Sequence, residues 1–235
     1  MTEQRRTQAR RRARSVEAAA VAGIAYSFLT VFALFQLNRY PKLSLPEEEL
    51  TAWFDDGQNR ALLVAALGAS SVAAIAFLWF IAVIRRRLGD REDQFFATVF
   101  LGSGIVNVAI SLVAAAAIAS PAIAVTVLDA AEVSSSSASL AGGLGAALLL
   151  VVAPRVQAVF IFTTSTVILR SRVLPSWVAG AGYLLGLAMF IIPIVWRSLG
   201  VAFPVWVFVV SIVLIVVRPS HLEIDRPTDD VGDAD

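Results

Sequence analysis

The stretch 141–169, AGGLGAALLLVVAPRVQAVFIFTTSTVIL, is a long apolar run interrupted near its middle by Pro154 and Arg155. Because helical residues rise about 1.5 Å each, roughly 20 of them cross a bilayer core of about 30 Å. The run is long enough to predict a transmembrane helix. Arg155 is its unusual feature, since a charge near mid-depth costs at least about 2.5 kcal/mol on insertion scales and usually finds a partner in the bundle interior.

The whole chain is too apolar for a water-soluble domain. Of its 235 residues, 58% are hydrophobic and 16% are charged, and the mean hydropathy is +0.77. Composition therefore predicts a membrane protein that has the lipid bilayer as its surroundings, and it gives no reason to expect a nucleic-acid partner. The sequence contains no cysteine, which excludes disulfides, thiolate metal sites and a cysteine nucleophile.

Apolar runs of spanning length predict an all-α fold, a polytopic bundle of transmembrane helices with six spans. The predicted transmembrane domain covers residues 16–218. A basic cytoplasmic tail over 1–15 precedes it, and an acidic cytoplasmic tail over 219–235, which has no apolar period, is predicted to be disordered. The six predicted spans are 16–37, 61–84, 95–119, 141–169, 177–196 and 203–217.

Basic residues predict how these spans are oriented. The segments assigned to the cytoplasm hold fourteen Lys and Arg residues, the external segments hold four, and Arg155 is the nineteenth. The positive-inside rule therefore places the N-terminus and the C-terminus in the cytoplasm, in a multi-pass protein of the cell (plasma) membrane. The six arginines before residue 15 are interpreted as a topology signal rather than as a nucleic-acid-binding patch.

Two segments between the spans carry signals of their own. Leu50, Trp53 and Phe54 fall on one helical face, which predicts a short external amphipathic helix on the membrane surface between spans 1 and 2. The apolar piece within 121–133 is too short to cross a bilayer. For this piece three alternatives stay open: an extension of the third helix, a surface helix, or a re-entrant segment.

Three polar side chains inside the spans form the candidate binding site, a polar intramembrane cluster of Arg155, Asn107 and Gln157. A buried amide in lipid needs a partner, as a charge does, so Asn107 is a candidate partner of Arg155 in the bundle interior. Asp129 and Glu132 are the candidate acidic partners if the piece before them folds back. If that piece points into water, both acids are simply solvated.

The sequence carries no recognisable catalytic set. Its single histidine, His221, lies in the C-terminal tail, and no P-loop or acidic metal box is present. No serine or threonine has a base placed near it by sequence, as a nucleophile would need. We therefore expect neither an enzyme nor a bound metal or cofactor.

Two segments give the chain a resemblance to a known group. One is 62–100, which contains WFIAVIRRRLGDRED, and the other is 166–190, TVILRSRVLPSWVAGAGYLLGLAMF. The sequence resembles uncharacterised multi-pass integral membrane proteins of high-GC Gram-positive bacteria, of the domain-of-unknown-function type. The resemblance implies a helical membrane protein and no particular activity.

Two functions are consistent with these patterns. The favoured one is an integral membrane protein of structural or accessory type, acting through helix–helix contacts with itself, as a homo-oligomer, or with other membrane-protein subunits. Its basis is the missing catalytic set, the single intramembrane charge, and stripes of small residues such as Ala65, Ala69 and Ala73, which allow close helix contact. The alternative is a small transporter or channel with a polar cavity around Arg155 for an anion or small polar solute.

Overall fold

The computed structural model describes residues 2–42, 44–88, 94–130, 132–171, 174–191 and 199–216. In this part of the chain every regular element is helical, which confirms the all-α prediction. The elements are α1 (Thr2–Leu37), α2 (Glu47–Asp55), α3 (Gly57–Leu88), α4 (Gln94–Val127), α5 (Ser135–Ala147), a π-helical segment (Leu148–Val152), α6 (Ala153–Ser171), α7 (Ser176–Ile191) and α8 (Leu199–Val216).

Within these helices, four stretches are long and apolar enough to cross a membrane. They are Ala20–Leu37, Gly57–Arg85, Phe95–Val127 and Ser135–Arg170. The helices α7 and α8 are apolar but shorter. Each of the six predicted spans thus overlaps apolar helical structure, the fourth as α5, the π-helical segment and α6 together, and four of the six have spanning length. Residues 192–196 and 217 of the predicted spans lie outside the described residues. The acidic tail predicted over 219–235 lies outside the described residues.

The fourth helix settles the open question about the segment after Ser120. α4 runs without interruption through Pro121 to Val127, so the extension of the third span is confirmed for this piece, and the surface and re-entrant alternatives are wrong. Pro121 cannot donate to the carbonyl of Ala117, but the Ser120 hydroxyl donates to that same oxygen at 2.8 Å. The chain leaves the helix at Asp129, whose φ of 54° lies in the left-handed region that short polar residues tolerate.

The long helices are arranged as a ring. α1 lies between α3 and α8, α4 follows α3, and α6 lies between α4 and α7. α8 packs mainly on α1, where the Ser27 hydroxyl donates to the Pro204 carbonyl at 2.8 Å, and it touches α6 and α7 only sparsely. α8 is therefore held chiefly by α1.

One half of the ring interior is filled by aromatic rings, which we call the aromatic core. Phe100 and Phe160 stack with centroids 4.8 Å apart, and the rings of Tyr26 and Phe77 lie 4.5 Å apart. Side chains of this kind pack densely and leave no room for solvent. The aromatic core consists of Tyr26, Phe77, Phe80, Phe100, Phe160 and Phe203, all buried.

The short helix α2 closes the opposite end of the bundle, which we call the α2 end. A helix is present where one was predicted, but its apolar face lies on the protein and not in lipid, because Leu50 and Phe54 are buried against the helix ends. The Arg60 guanidinium donates to the carbonyls of Phe54 at 2.6 Å and Asp55 at 3.0 Å. These bonds satisfy the last carbonyls of α2 and fix it to the start of α3.

Candidate functional site

The backbone around Arg155 departs from a regular α-helix. Pro154 has no N–H group, so a helix that includes it loses one main-chain hydrogen bond. The chain accommodates this with the π-helical segment Leu148–Val152, after which the Ala153 N–H bonds to the carbonyl of Leu148. Such a segment holds one residue more than an α-turn and changes which side of the helix the following residues face.

Arg155 lies on the outer surface of the bundle. Its side chain is exposed, and its Nη1 donates to the carbonyl of Val151 in the same run. The neighbours one turn away on the same face, Val152 and Val159, are 39% and 36% exposed. The face of α6 that points inward holds Gln157 instead. The prediction that Arg155 faces the bundle interior is therefore wrong, because the π-helical segment turns it outward.

Arg155 is nevertheless far from both ends of its helical run. Gly142 lies against the ring of Tyr40 near the α2 end, and Arg170 lies over the ring of Phe96 near the other end. Arg155 is thirteen residues from Gly142 and fifteen from Arg170. With a helical rise of about 1.5 Å per residue, each distance is about 20 Å along the axis.

The two predicted amides do come together. Gln157 Nε2 donates to Asn107 Oδ1 at 3.0 Å, across the contact between α6 and α4. Both side chains are buried, with 9% and 1% of their surfaces exposed. The Tyr26 hydroxyl, from α1, interacts with the side chains of Asn107 and Thr30. We call these four residues the polar cluster; the Gln157–Asn107 hydrogen bond joins α6 to α4, and Tyr26 and Thr30 bring α1 beside it.

A small cavity borders the polar cluster. Its volume is about 60 Å³, and its lining combines the cluster with apolar and hydroxyl side chains, including Ser70 and Ser111. No charged residue lines it. Since a water molecule needs roughly 10–15 Å³ of such space, the cavity has room for a few waters and not for an organic solute of ordinary size.

A second cavity continues from the first toward the α2 end. Its volume is about 150 Å³, and it reaches the exposed residues Asn38 and Lys42. Leu34, Leu37 and Leu149 line both cavities. These three leucines therefore separate a vestibule beside Lys42 from the polar cluster, and the aromatic core lies beyond the cluster.

The predicted acidic partners lie elsewhere. Asp129 and Glu132 are both exposed in the connection between α4 and α5. α4 does not fold back, so neither acid contacts Arg155, whose one hydrogen-bond acceptor within the described residues is the Val151 carbonyl. Of the alternatives for these acids, the solvated one matches their positions.

Sequence reasoning missed a further pair of buried polar atoms, Ser165 Oγ and Trp206 Nε1. Neither atom has a hydrogen-bond partner. Both lie over Gly182, at 2.2 and 3.3 Å from the position that a Cβ atom would take there. Gly182 is the first glycine of a GxxxG pattern, which signals close helix packing, but nothing in the pattern indicates unpaired donors. No group of three metal-ligating side chains occurs within the described residues.

The geometry therefore consists of a neutral polar cluster inside the bundle and a single arginine outside it. The pairing of Asn107 and Gln157 can hold helices in register, and the arginine can contact whatever surrounds the bundle. Comparison with family models, with curated proteins and with solved structures gives no significant match for this chain.

Proposed function

We propose that the chain is an integral membrane protein of structural or accessory type, which acts through helix–helix contacts with itself or with another membrane protein. The observation that carries this proposal is the outward position of Arg155, about midway along a helical run of spanning length. An arginine facing lipid at that depth has a high free energy, which a polar contact with a neighbouring protein lowers. The resemblance to multi-pass proteins of high-GC bacteria is compatible with this role.

The interior of the bundle supports the same role. Among the described residues no charged side chain is buried, and a hydrogen bond joins the buried amides of Asn107 and Gln157. Groups paired in this way fix the arrangement of the helices and are not free to bind a ligand. Arg155, whose one hydrogen-bond acceptor within the described residues lies in its own helical run, is instead on the outer surface, where a neighbouring subunit can contact it.

Extraction in a mild detergent tests the subunit contact. The wild-type chain should migrate as a complex clearly larger than one 25.1 kDa chain in its micelle, and Arg155→Leu should shift the population toward the monomer. Replacing the exposed Leu184 on α7 with Ala is the matched control, because that face carries no charge. A monomer in both the wild type and Arg155→Leu would contradict the proposal.

We also propose the finer topology: six spans, both termini in the cytoplasm, and α2 on the external side of a cell membrane. The distribution of Lys and Arg and the six apolar helices support it. Reporters fused after Arg87, Arg172 or Asp235 should score cytoplasmic, and reporters inserted near Asp56 or Ser136 should score external. A cytoplasmic score near Ser136 would overturn the six-span topology.

A second candidate function is a pathway for a small neutral polar solute, and the two adjoining cavities favour it. Their lining lacks an anion-binding cation at the deep end, because Arg155 is outside, so the anion form of this idea loses its basis. Since the chain has no cysteine, Ser111→Cys can report on water access to the deep cavity directly. Full protection of Cys at 111 from a membrane-impermeant thiol reagent in every tested condition would eliminate this candidate.

A further inference from the structure

The surroundings of Arg155 on the outer face indicate what kind of partner it needs. Along this face Leu144, Val152 and Val159 are exposed and apolar, so the arginine is a single charge in an apolar strip. Its bond to the Val151 carbonyl satisfies one of five N–H donors of the guanidinium. The remaining donors need acceptors that a lipid chain cannot provide.

A second copy of this chain does not supply a suitable acid. All eighteen Asp and Glu residues lie outside Ala20–Leu37, Gly57–Arg85, Phe95–Val127 and Ser135–Arg170, and none lies in α7 or α8. A two-fold symmetric contact through this face would also bring the two Arg155 side chains toward each other. Like charges placed together in an interface are strongly unfavourable.

We infer that Arg155 docks this protein onto a transmembrane helix of a different protein that carries an Asp or Glu at mid-depth. The inference rests on the proposed function and names the partner's chemistry. A carboxylate accepts two parallel bonds from a guanidinium, which satisfies both groups where water is absent. The valines on either side of Arg155 provide the flat apolar contact that lets the partner helix approach.

Photo-crosslinking in membranes of the native host tests the inference. A benzophenone amino acid at Val159 should capture one membrane protein, and the same probe at Leu184 on α7 should not capture it. The captured protein should have an Asp or Glu near the middle of a span. Arg155→Leu should reduce the crosslink about tenfold, the effect of losing one intramembrane polar pair, and Arg155→Lys should retain part of it.

Charge exchange separates pairing from simple proximity. Changing the partner's acid to Leu should reduce the crosslink as strongly as Arg155→Leu does, while leaving this chain unaltered and therefore folded. Combining Arg155→Asp with an Arg at the partner's acidic position should restore the crosslink. Failure of the exchange, or a captured protein without a mid-span acid, would overturn the inference.

The remaining outcomes distinguish this inference from the proposed function. A crosslink to a second copy of the chain would overturn the acidic partner while the contact role survives. A crosslink to lipid alone would indicate that Arg155 reaches a headgroup, and it would overturn the inference. If the detergent-extracted chain is also monomeric, the proposed function fails with it.

Discussion

The aromatic core differs from the rest of the bundle interior, which extends from the polar cluster to the α2 end and which we call the α2 half, in how its space is filled. The aromatic core is made of large rings that are almost completely buried, with Phe77, Phe160 and Phe203 at centroid distances of 5.2–5.8 Å. The α2 half contains two cavities, of about 60 and 150 Å³, and hydrogen-bonded polar side chains. One bundle thus combines a half that is held by close packing of aromatic rings with a half that is held by hydrogen bonds.

The difference has a physical origin in the solvent. In a bilayer, association of helices gains little from the hydrophobic effect, so close packing and interhelical hydrogen bonds provide most of the stabilisation. The aromatic core is held by close packing, so removing part of a side chain from it is destabilising. The polar cluster is held by hydrogen bonds between its side chains. It tolerates an adjoining cavity, but a polar group left without a partner would destabilise it.

The largest effect should come from removing a ring of the aromatic core. Phe160→Ala leaves a hole among Phe77, Phe100 and Phe203, and we expect it to lower the free energy of unfolding by about 3 kcal/mol. Leu149→Ala should cost less, about 2 kcal/mol, because its side chain is only partly buried between two existing cavities. Denaturation by SDS from mild detergent measures both. Equal costs would remove the contrast between the halves.

A substitution at Gly145 should have an intermediate effect on stability and show that part of the α2 half is closely packed. A Cβ atom at Gly145 would lie 2.2 Å from Ile118 Cγ1 and 3.1 Å from the Ala114 carbonyl oxygen, so Gly145→Ala should cost about 1–3 kcal/mol through overpacking. Gly143→Ala is the matched control in the same helix, since nothing lies within 4 Å of that position. The control should be neutral or stabilising by about 0.5–1 kcal/mol. A neutral Gly145→Ala would mean that the contact between α5 and α4 can yield.

The smallest effect concerns pH at the α2 end. Burial raises the pKa of Tyr40 from 10.0 to about 12, and its hydroxyl donates to the Ala138 carbonyl at 2.7 Å. The folded state therefore keeps the phenol neutral where the unfolded state ionises it, so this stabilisation is complete below pH 10 and is lost as the pH rises toward 12. Tyr40→Phe should cost about 1 kcal/mol at neutral pH and flatten the decline above pH 10.

Melting temperatures of the wild type and Tyr40→Phe between pH 8 and about 12 measure this pH dependence, because a change in proton binding on unfolding changes stability with pH. The wild-type curve should fall more steeply than the Tyr40→Phe curve. Parallel curves would show that the phenol at the α2 end is as accessible in the folded protein as in the unfolded one.

Much of the fold was predictable, because lipid solvent makes the pattern simple. Long apolar runs in this sequence give helices, and each predicted span coincides with one. The residues around Pro121 are also consistent with a long α4. Ser120 precedes Pro121, and its hydroxyl can donate to the Ala117 carbonyl that the proline leaves without a main-chain donor. The apolar face of α2 was predicted, but the pattern does not reveal whether it lies on lipid or on protein.

The candidate site was predicted less completely, and the π-helical segment explains why. Counted at 3.6 residues per turn from the buried Gly142 and Gly145, the inward face would pass through Val156, with Arg155 and Gln157 on either side of it. The extra residue of Leu148–Val152 shifts that phase, so the inward face passes through Gln157. Asn107 and Gln157 were named correctly as interior residues. The direction of Arg155 depends on the π-helical segment: Pro154 signals an irregular helix, but the sequence does not show that the irregularity adds one residue to the turn before it.

The packing of α8 on α1 has a consequence for how the protein is made. Membrane helices enter the bilayer as they are synthesised, so α1 is inserted before α8 has been translated. During that time the Ser27 hydroxyl lacks the Pro204 carbonyl that it later contacts, and the bare surface of Gly23 lacks the Ser211 side chain that later covers it. The ring closes only when α8 packs on α1, so a chain that lacks α8 would leave this face of α1 uncovered.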